Sequence, residues 1–233
     1  MDLAVIYPVY NEVDIIEKTA RETVKALEAS HIDSYRIVFV TDGSTDGTQR
    51  KADELQEEIE EVEHLSHEER LGKGGAFEKA FKQVEAENFA YCDADLSTDL
   101  KHLEEGLKYL DQGHDIAVGS RRVSNGFDRG FTREIPSIVF NEALRKFFGS
   151  EIYDHQCGFK FFEAEDSEEV IEEVDSDHWF WDAEMLIRGQ RSSKNIKEFS
   201  VDWEDPGDSK VSIYKDSIYF ARKLVELRID LWR

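Results

Sequence analysis

Short apolar runs and longer amphipathic segments alternate along the first half of the chain. Leu3 to Val9 is an unbroken apolar run, and Arg36 to Thr41, Val62 to Leu65, Asn88 to Cys92 and Asp115 to Val118 repeat the signal at shorter length. Strands covered on both faces read this way. Between them, Glu12 to Ala29 places Ile15, Ile16, Ala20, Val24 and Leu27 at helical spacing. Asp46 to Ile59 reads as a helix capped by Thr45 or Asp46, and Gly74 to Ala86 and Leu100 to Leu110 are two more. The βαβα rhythm predicts an α/β fold, with a mostly parallel central sheet and helices on both faces. After residue 150 the pattern is mixed, and no repeat or low-complexity linker interrupts it.

Ligands of such sheets bind beyond the carboxyl ends of the strands. Those ends carry Tyr10-Asn11-Glu12, Asp42-Gly43-Ser44, Asp93-Ala94-Asp95 and Gly119-Ser120-Arg121-Arg122. Two acids one residue apart leave a strand pointing the same way, close enough to share a hard divalent cation that substrate phosphates complete. Asp93 and Asp95 are therefore candidate ligands for Mg²⁺ or Mn²⁺. Pro8 and Tyr10 offer a flat apolar surface, and Asp42 can accept hydrogen bonds from a base edge. Gly72-Lys73-Gly74-Gly75 opens a helix, where backbone N–H groups and Lys73 can meet an anion. Its spacing is neither that of a P-loop nor that of a dinucleotide fingerprint.

Composition narrows the partners. The 233 residues suit one large domain. A net charge of −23 argues against nucleic acid, whose binding rests on neutralising phosphates with cations. Acids dispersed along the whole chain suggest a protein kept soluble in high salt, hence a halophilic cytosol. Cys92 and Cys157 give no disulfide framework and fit a reducing compartment. No basic leader and no apolar stretch of spanning length are expected, so the chain should not cross a membrane, although it can lie on one.

In order along the chain stand Pro8-Val9-Tyr10-Asn11-Glu12, Thr41-Asp42-Gly43-Ser44, Gly72-Lys73-Gly74-Gly75, Asp93-Ala94-Asp95, Gly119-Ser120-Arg121, His155-Gln156-Cys157-Gly158-Phe159-Lys160, Trp181-Asp182-Ala183-Glu184-Met185 and Ser209-Lys210. This series resembles the dolichyl-phosphate sugar synthases, in the branch typified by dolichyl-phosphate β-glucosyltransferase, among inverting glycosyltransferases with the GT-A fold. The resemblance runs from residue 3 to about residue 211. It implies a GT-A domain over 1–211, followed by an amphipathic helix over 212–233 packed on the domain or on a membrane surface.

The resemblance also implies roles. Pro8, Tyr10, Asn11, Glu12, Asp42, Lys73, Asp93, Ala94 and Asp95 fall at nucleotide-sugar positions, with Asp42 at the base and Asp93 and Asp95 at the metal. Arg121, Arg129, Arg133 and Lys210 fall at the acceptor phosphate, and Asp182 or Glu184 where relatives keep a catalytic carboxylate. Thr41 departs from the Asp-Asp-Gly-Ser of most relatives. The implied activity is hexose transfer, from UDP-glucose in the first instance, to dolichyl or polyprenyl phosphate with inversion, in protein glycosylation. A lipid phosphate is already anionic and needs no strong base. Asp95, Asp182, Arg121 and Arg133 would carry the chemistry, Asp182 by orienting an arginine or a sugar hydroxyl. GDP-mannose as donor, a glycan acceptor, and a module that binds a nucleotide sugar without turnover stay open.

The last helix carries one apolar set at Ile213, Phe220, Leu224, Leu227 and Leu231. A second, at Tyr214, Ile218, Ala221, Val225, Ile229 and Trp232, widens the stripe to about half the helix. Ile135, Ile138, Val139, Ala143, Leu144, Phe147 and Phe148 make a similar stripe. Both suit either a membrane interface or an ordinary core, and beside a lipid-acceptor loop they favour peripheral attachment, expected on the cytoplasmic face.

Overall fold

The computed structural model describes residues 1–122, 131–176, 178–204 and 213–232, and the side chains among these except 131–136 and 213–218. Seven strands form one sheet: β1 (Leu3–Val9), β2 (Tyr35–Asp42), β3 (Val62–His67), β4 (Asn88–Cys92), β5 (Ile116–Ser120), β6 (Phe159–Glu163) and β7 (Ile196–Ser200), in the spatial order β3-β2-β1-β4-β6-β5-β7. All neighbours pair parallel except β6, which runs antiparallel to both β4 and β5. The first five strands follow the apolar runs of the sequence. The antiparallel β6 and the edge strand β7 come from the second half, where the pattern alone assigned no strands.

Helices cover both faces. On one lie α1 (Ile16–Glu28), α2 (Thr48–Glu58) and α4 (Leu103–Asp111), which bury Ile16, Ala20, Leu27, Leu55 and Leu103 against Val5, Tyr7, Phe39 and Phe161 of the sheet. On the other lie α3 (Gly72–Gln83), α6 (Ala164–Glu172) and α7 (Trp181–Arg191), with Phe77, Val170, Trp181 and Met185 against Ile6, Val38, Tyr91 and Phe162. Alternate residues of each strand feed opposite cores, so continuous apolar runs were required. A third cluster joins α5 (Phe131–Phe148) and α8 (Ile213–Asp230) to the outer face of α7, through Phe140, Leu144, Phe180, Ile187 and Leu227.

Several boundaries differ from the sequence expectation: α3 runs over Gly72–Gln83 rather than Gly74 to Ala86, and two helix starts have a visible cause. Helix α1 begins at Ile16 rather than Glu12, because Asn11 takes a left-handed φ of 54° and the Glu12 N–H donates to Thr48 Oγ1 at 2.9 Å. Helix α2 has Gly47, at φ 101°, in the cap position. Asp46 still serves the helix end, its Oδ1 accepting from the Thr48 N–H at 3.0 Å. On α8 the two apolar sets separate: Phe220, Leu224, Leu227 and Leu231 pack inward, while Val225, Ile229 and Trp232 are exposed.

Candidate active site

The carboxyl ends of β1, β2 and β4 supply one side of the candidate cleft. Asn11 is pinned at both ends: its N–H donates to Ser44 Oγ at 3.1 Å, and its Oδ1 accepts from the Thr45 N–H at 2.8 Å. Tyr10 is partly exposed under the Arg70 guanidinium, whose carbon lies 3.4 Å from the ring centroid. Arg70 Nε is also 3.2 Å from Asp42 Oδ2. Asp42 is buried and accepts from the backbone N–H groups of Leu71 and Gly72, the latter at 2.9 Å, so it closes the start of α3. Arg70 was not among the residues singled out from the sequence. Its place beside Asp42 is set by the loop after β3. Thr41 hydrogen-bonds His64 Nε2 at 2.8 Å, and His64 Nδ1 meets Asp53 Oδ1 at 2.7 Å.

Beyond β4, Asp93 and Asp95 have different surroundings. Asp95 is exposed, and its Oδ1 accepts from the Ser97 N–H at 2.9 Å and the Ser97 hydroxyl at 2.7 Å. Ala94 is buried, and its carbonyl accepts from Thr19 Oγ1 at 2.6 Å. Asp93 pairs with Lys73 through Oδ1 and accepts from the Tyr91 hydroxyl at 3.3 Å. A methyl group on Gly158 would overlap Asp93 Oδ2, so glycine is what lets this carboxylate lie against the start of β6. The Lys73 ammonium also sits 4.7 Å from the Trp179 ring centroid. Burial opposes its charge, but Asp93 more than compensates and raises its pKa above the ordinary lysine value.

Asp182 stands in the first turn of α7, buried, with Oδ1 2.5 Å from Lys160 Nζ. Burial raises its pKa above the usual aspartate value, against the pull of Lys160 and Lys73. Lys160 itself has no exposed surface. Glu184, the alternative carboxylate, accepts from Arg188 Nε at 2.8 Å and from the Asp175 N–H at 3.1 Å. Arg188 also reaches Asp230 at 2.8 Å, so this acid braces α7 against α8.

The other side of the cleft begins at the end of β5. Arg121 grips Asp154 by a fork, Nε to Oδ2 and Nη2 to Oδ1, both at 2.7 Å, and its own N–H donates to Oδ2 at 3.1 Å. Asp154 is fully buried, and Glu198 accepts from the N–H groups of Tyr153 and Asp154 at 2.9 Å. Burial works against the Arg121 charge, yet Asp154 outweighs it and holds the guanidinium firmly protonated. Burial likewise opposes the Asp154 anion, and Arg121 brings its pKa below the ordinary value. The guanidinium carbon lies 5.3 Å from the Trp203 ring centroid. The Trp203 segment is stitched to the loop after Asp95, since Thr98 bridges Trp203 and the Glu204 N–H donates to the Ser97 carbonyl at 2.8 Å. The two sides of the cleft thus meet at Ser97–Asp99. Arg129 and Lys210 lie outside the described residues, as does the Arg133 side chain, whose backbone belongs to α5.

Among the described residues, no three His, Cys, Asp or Glu side chains gather to hold a metal ion. A hard cation held by one or two carboxylates, with substrate phosphates completing its shell, needs no such cluster. Asp95 suits this, being exposed with one oxygen on Ser97. Asp93 is already neutralised by Lys73, so it could serve beside Asp95 only by exchanging that partner.

The sequence profile of glycosyl transferase family 2 matches residues 4–171. Glycosyltransferase AglD of Haloferax volcanii is 41% identical over 228 residues, which are 97% of this chain and 36% of that protein. The chain thus spans about a third of that relative. Dolichyl-phosphate β-glucosyltransferases of Dictyostelium discoideum and Saccharomyces cerevisiae are 28% and 26% identical, and 76% and 74% of their lengths are covered. Among solved structures, glucosyl-3-phosphoglycerate synthase of Mycobacterium tuberculosis with UDP superposes at TM-score 0.71 and 16% identity, covering 98% of this chain and 79% of that one. That likeness shows a common GT-A fold.

Proposed function

The chain belongs to glycosyl transferase family 2, and from that premise we propose that it transfers a hexose from a nucleotide-diphosphate sugar to dolichyl or polyprenyl phosphate, with inversion. UDP-glucose is the favoured donor and protein glycosylation the process served. The observation that carries this reading is the gathering of Asp42, Asp93 and Asp95 at the ends of β2 and β4, with the Arg121 guanidinium, clamped by the buried Asp154, at the end of β5 on the same edge of the sheet. The names of the dolichyl-phosphate β-glucosyltransferases support the choice of sugar and acceptor.

Each group then has a task. Pro8, Tyr10, Asn11, Glu12, Arg70 and Asp42 hold the nucleoside, with Asp42 available to a base edge once Arg70 shifts. Lys73, at the first turn of α3, meets the diphosphate. Asp95, with Asp93 beside it, would hold Mg²⁺ or Mn²⁺, which would supply neutralisation of the departing diphosphate. Arg121, with Arg129, Arg133 and Lys210, holds the acceptor phosphate, which attacks the anomeric carbon opposite the leaving group. The phosphate is already an anion, so no side chain need remove a proton. Asp182, tied to Lys160, is accordingly a hydrogen-bond acceptor for a sugar hydroxyl rather than a base.

No described helix is long and apolar enough to cross a membrane. Exposed Val139 and Phe147 on α5, and Val225, Ile229 and Trp232 on α8, supply apolar side chains for peripheral attachment, which a lipid acceptor requires. We place that attachment on the cytoplasmic face. The net charge of −23 supports a halophilic setting, in which salt screens self-repulsion. The test is transfer from UDP-glucose, with GDP-mannose in parallel, to short-chain polyprenyl phosphate in Mn²⁺. Glycolipid should form from UDP-glucose and fall by about 10²–10³-fold in Asp95→Asn, as when a charge-stabilising group is lost. No glycolipid from either donor overturns the reading.

A further inference from the structure

Lys160 is the least expected charge in the molecule. It is the second residue of β6, opposite Tyr91, between Phe159 and Phe161, and has no solvent exposure. Taking an ammonium out of water costs several kcal/mol that pairing only partly returns, so a buried ion pair is weak evidence of stabilisation. Two of its donors are accounted for at 2.5 Å: one on Asp182 Oδ1, one on the carbonyl of Cys157. The second contact is as telling as the first. Cys157 directly precedes Gly158, the residue whose missing side chain makes room for the Asp93 carboxylate. Asp93 in turn pairs with Lys73, and the charges of Lys73 and Asp93 both act on Asp182.

From this the geometry points to Lys160 as a positioning residue for sugar transfer, a buried ammonium that holds Asp182 directly and the Asp93 cradle through the Cys157 carbonyl. One atom fixes two carboxylates contributed by different elements, α7 and the end of β4. Lys73 and Lys160 balance Asp93 and Asp182 in charge. With Lys160 occupying Oδ1, the other Asp182 oxygen is left for the donor sugar. Lys73 is left for Asp93 and the diphosphate. This inference rests on Asp182 touching the sugar, as proposed above.

The test is a double-mutant cycle with Lys160→Met and Asp182→Asn, read by transfer to polyprenyl phosphate, by acceptor-free hydrolysis of the nucleotide sugar, and by thermal melting. A misplacement of about 1 Å at a reacting group costs about 10²-fold. Lys160→Met should therefore lose about that factor in kcat, with little change in the donor KM. Added to Asp182→Asn it should cost less than that factor, since only the Asp93 share remains to be lost, while the neutral pair melts higher than Lys160→Met alone because no unpaired charge is left buried. A merely structural lysine behaves otherwise: the pair would regain activity along with its melting temperature, and that result overturns the proposal. So does full activity in Lys160→Met or in Asp182→Asn. Should Lys160→Met alone fail to fold, the pair against Asp182→Asn decides, a slower pair supporting the proposal and an equal or faster pair overturning it. Failure of the acceptor reading looks different: the wild type would hydrolyse donor without making glycolipid, and the cycle is then read on hydrolysis.

Discussion

The two sides of the cleft hold their acids by different means. Below β1, β2 and β4, Asp42 is held mainly by the N–H groups of Leu71 and Gly72, Asp46 by Thr48, and Asp95 by Ser97. Beyond β5 the buried acids are held by cations: Asp154 by Arg121, Asp182 by Lys160, and Glu184 by Arg188. Neutral N–H donors can exchange one anion for another at small cost, as suits a side where a nucleotide must come and go. A buried charge pair cannot be opened so cheaply, because each partner is left uncompensated. The first side is built to exchange ligands and the second to stay in place. Asp93 belongs to both, lying at the end of β4 but paired with Lys73.

The largest expected effect lies on the cation-held side. Asp154→Asn leaves Arg121 facing a neutral amide in a fully buried site, and breaking such a pair costs about 3–5 kcal/mol. Because the Arg121 side chain keeps 26% of its surface exposed, the low end of that range is expected. Asp95→Asn, on the other side, should change stability by no more than about 0.5 kcal/mol while lowering turnover by about 10²–10³-fold. Urea denaturation of both variants measures the contrast. Equal losses in the two would mean that the difference in how acids are held has no energetic consequence.

How far the sequence displayed this division depends on distance along the chain. Leu3 to Val9 and Asn88 to Cys92 announce themselves as buried strands, and Asp95 satisfies itself on Ser97 two residues away. Glu184 meets Arg188 only four residues on, but Arg121–Asp154 and Lys160–Asp182 join residues 33 and 22 positions apart. No local pattern encodes such a partnership. Asp154 and Glu198 went unnoticed for that reason, as did Arg70, which meets Asp42 only after β3 has folded back. Lys160 did leave a trace. In Phe159-Lys160-Phe161-Phe162 a lysine falls on a strand face that Phe162 shows to be buried, and a buried lysine demands an acid.

Asp93, shared by the two regimes, is tested by Gly158→Ala. The added methyl would overlap Asp93 Oδ2 and push the carboxylate from its cradle, with Lys73 following. We expect kcat/KM to fall by about 10²-fold, equivalent to about 2.7 kcal/mol of transition-state stabilisation. Steady-state kinetics against donor concentration gives the number. Rates near wild type would show that the exact seat of Asp93 is immaterial.

The smallest effect concerns His155, next to the clamped Asp154. The ring is fully buried between Asn141 and Ser150: Nδ1 lies 2.8 Å from Asn141 Oδ1, and Nε2 lies 2.8 Å from Ser150 Oγ. Burial pushes its pKa down to about 3. Asp154 opposes that shift, while Lys160, Arg145 and Arg122 add to it. The unfolded chain keeps an ordinary histidine near pH 6.5, so between about pH 6.5 and 3 the unfolded state binds the extra proton. The contribution is therefore complete above pH 6.5 and is lost as pH falls through that window, at no more than about 1.4 kcal/mol per pH unit. Between pH 6.5 and 5 the ordinary carboxylates are still ionised, and burial raises Asp182 and Glu198 so that they act in the opposite direction, which leaves this histidine to set any downward slope. Denaturation midpoints of the wild type should drop across that interval relative to those of His155→Gln. A variant with the wild-type slope would mean that the ring charges as readily inside the fold as outside it, and that the polar seat around Asp154 is more open to water than its burial implies.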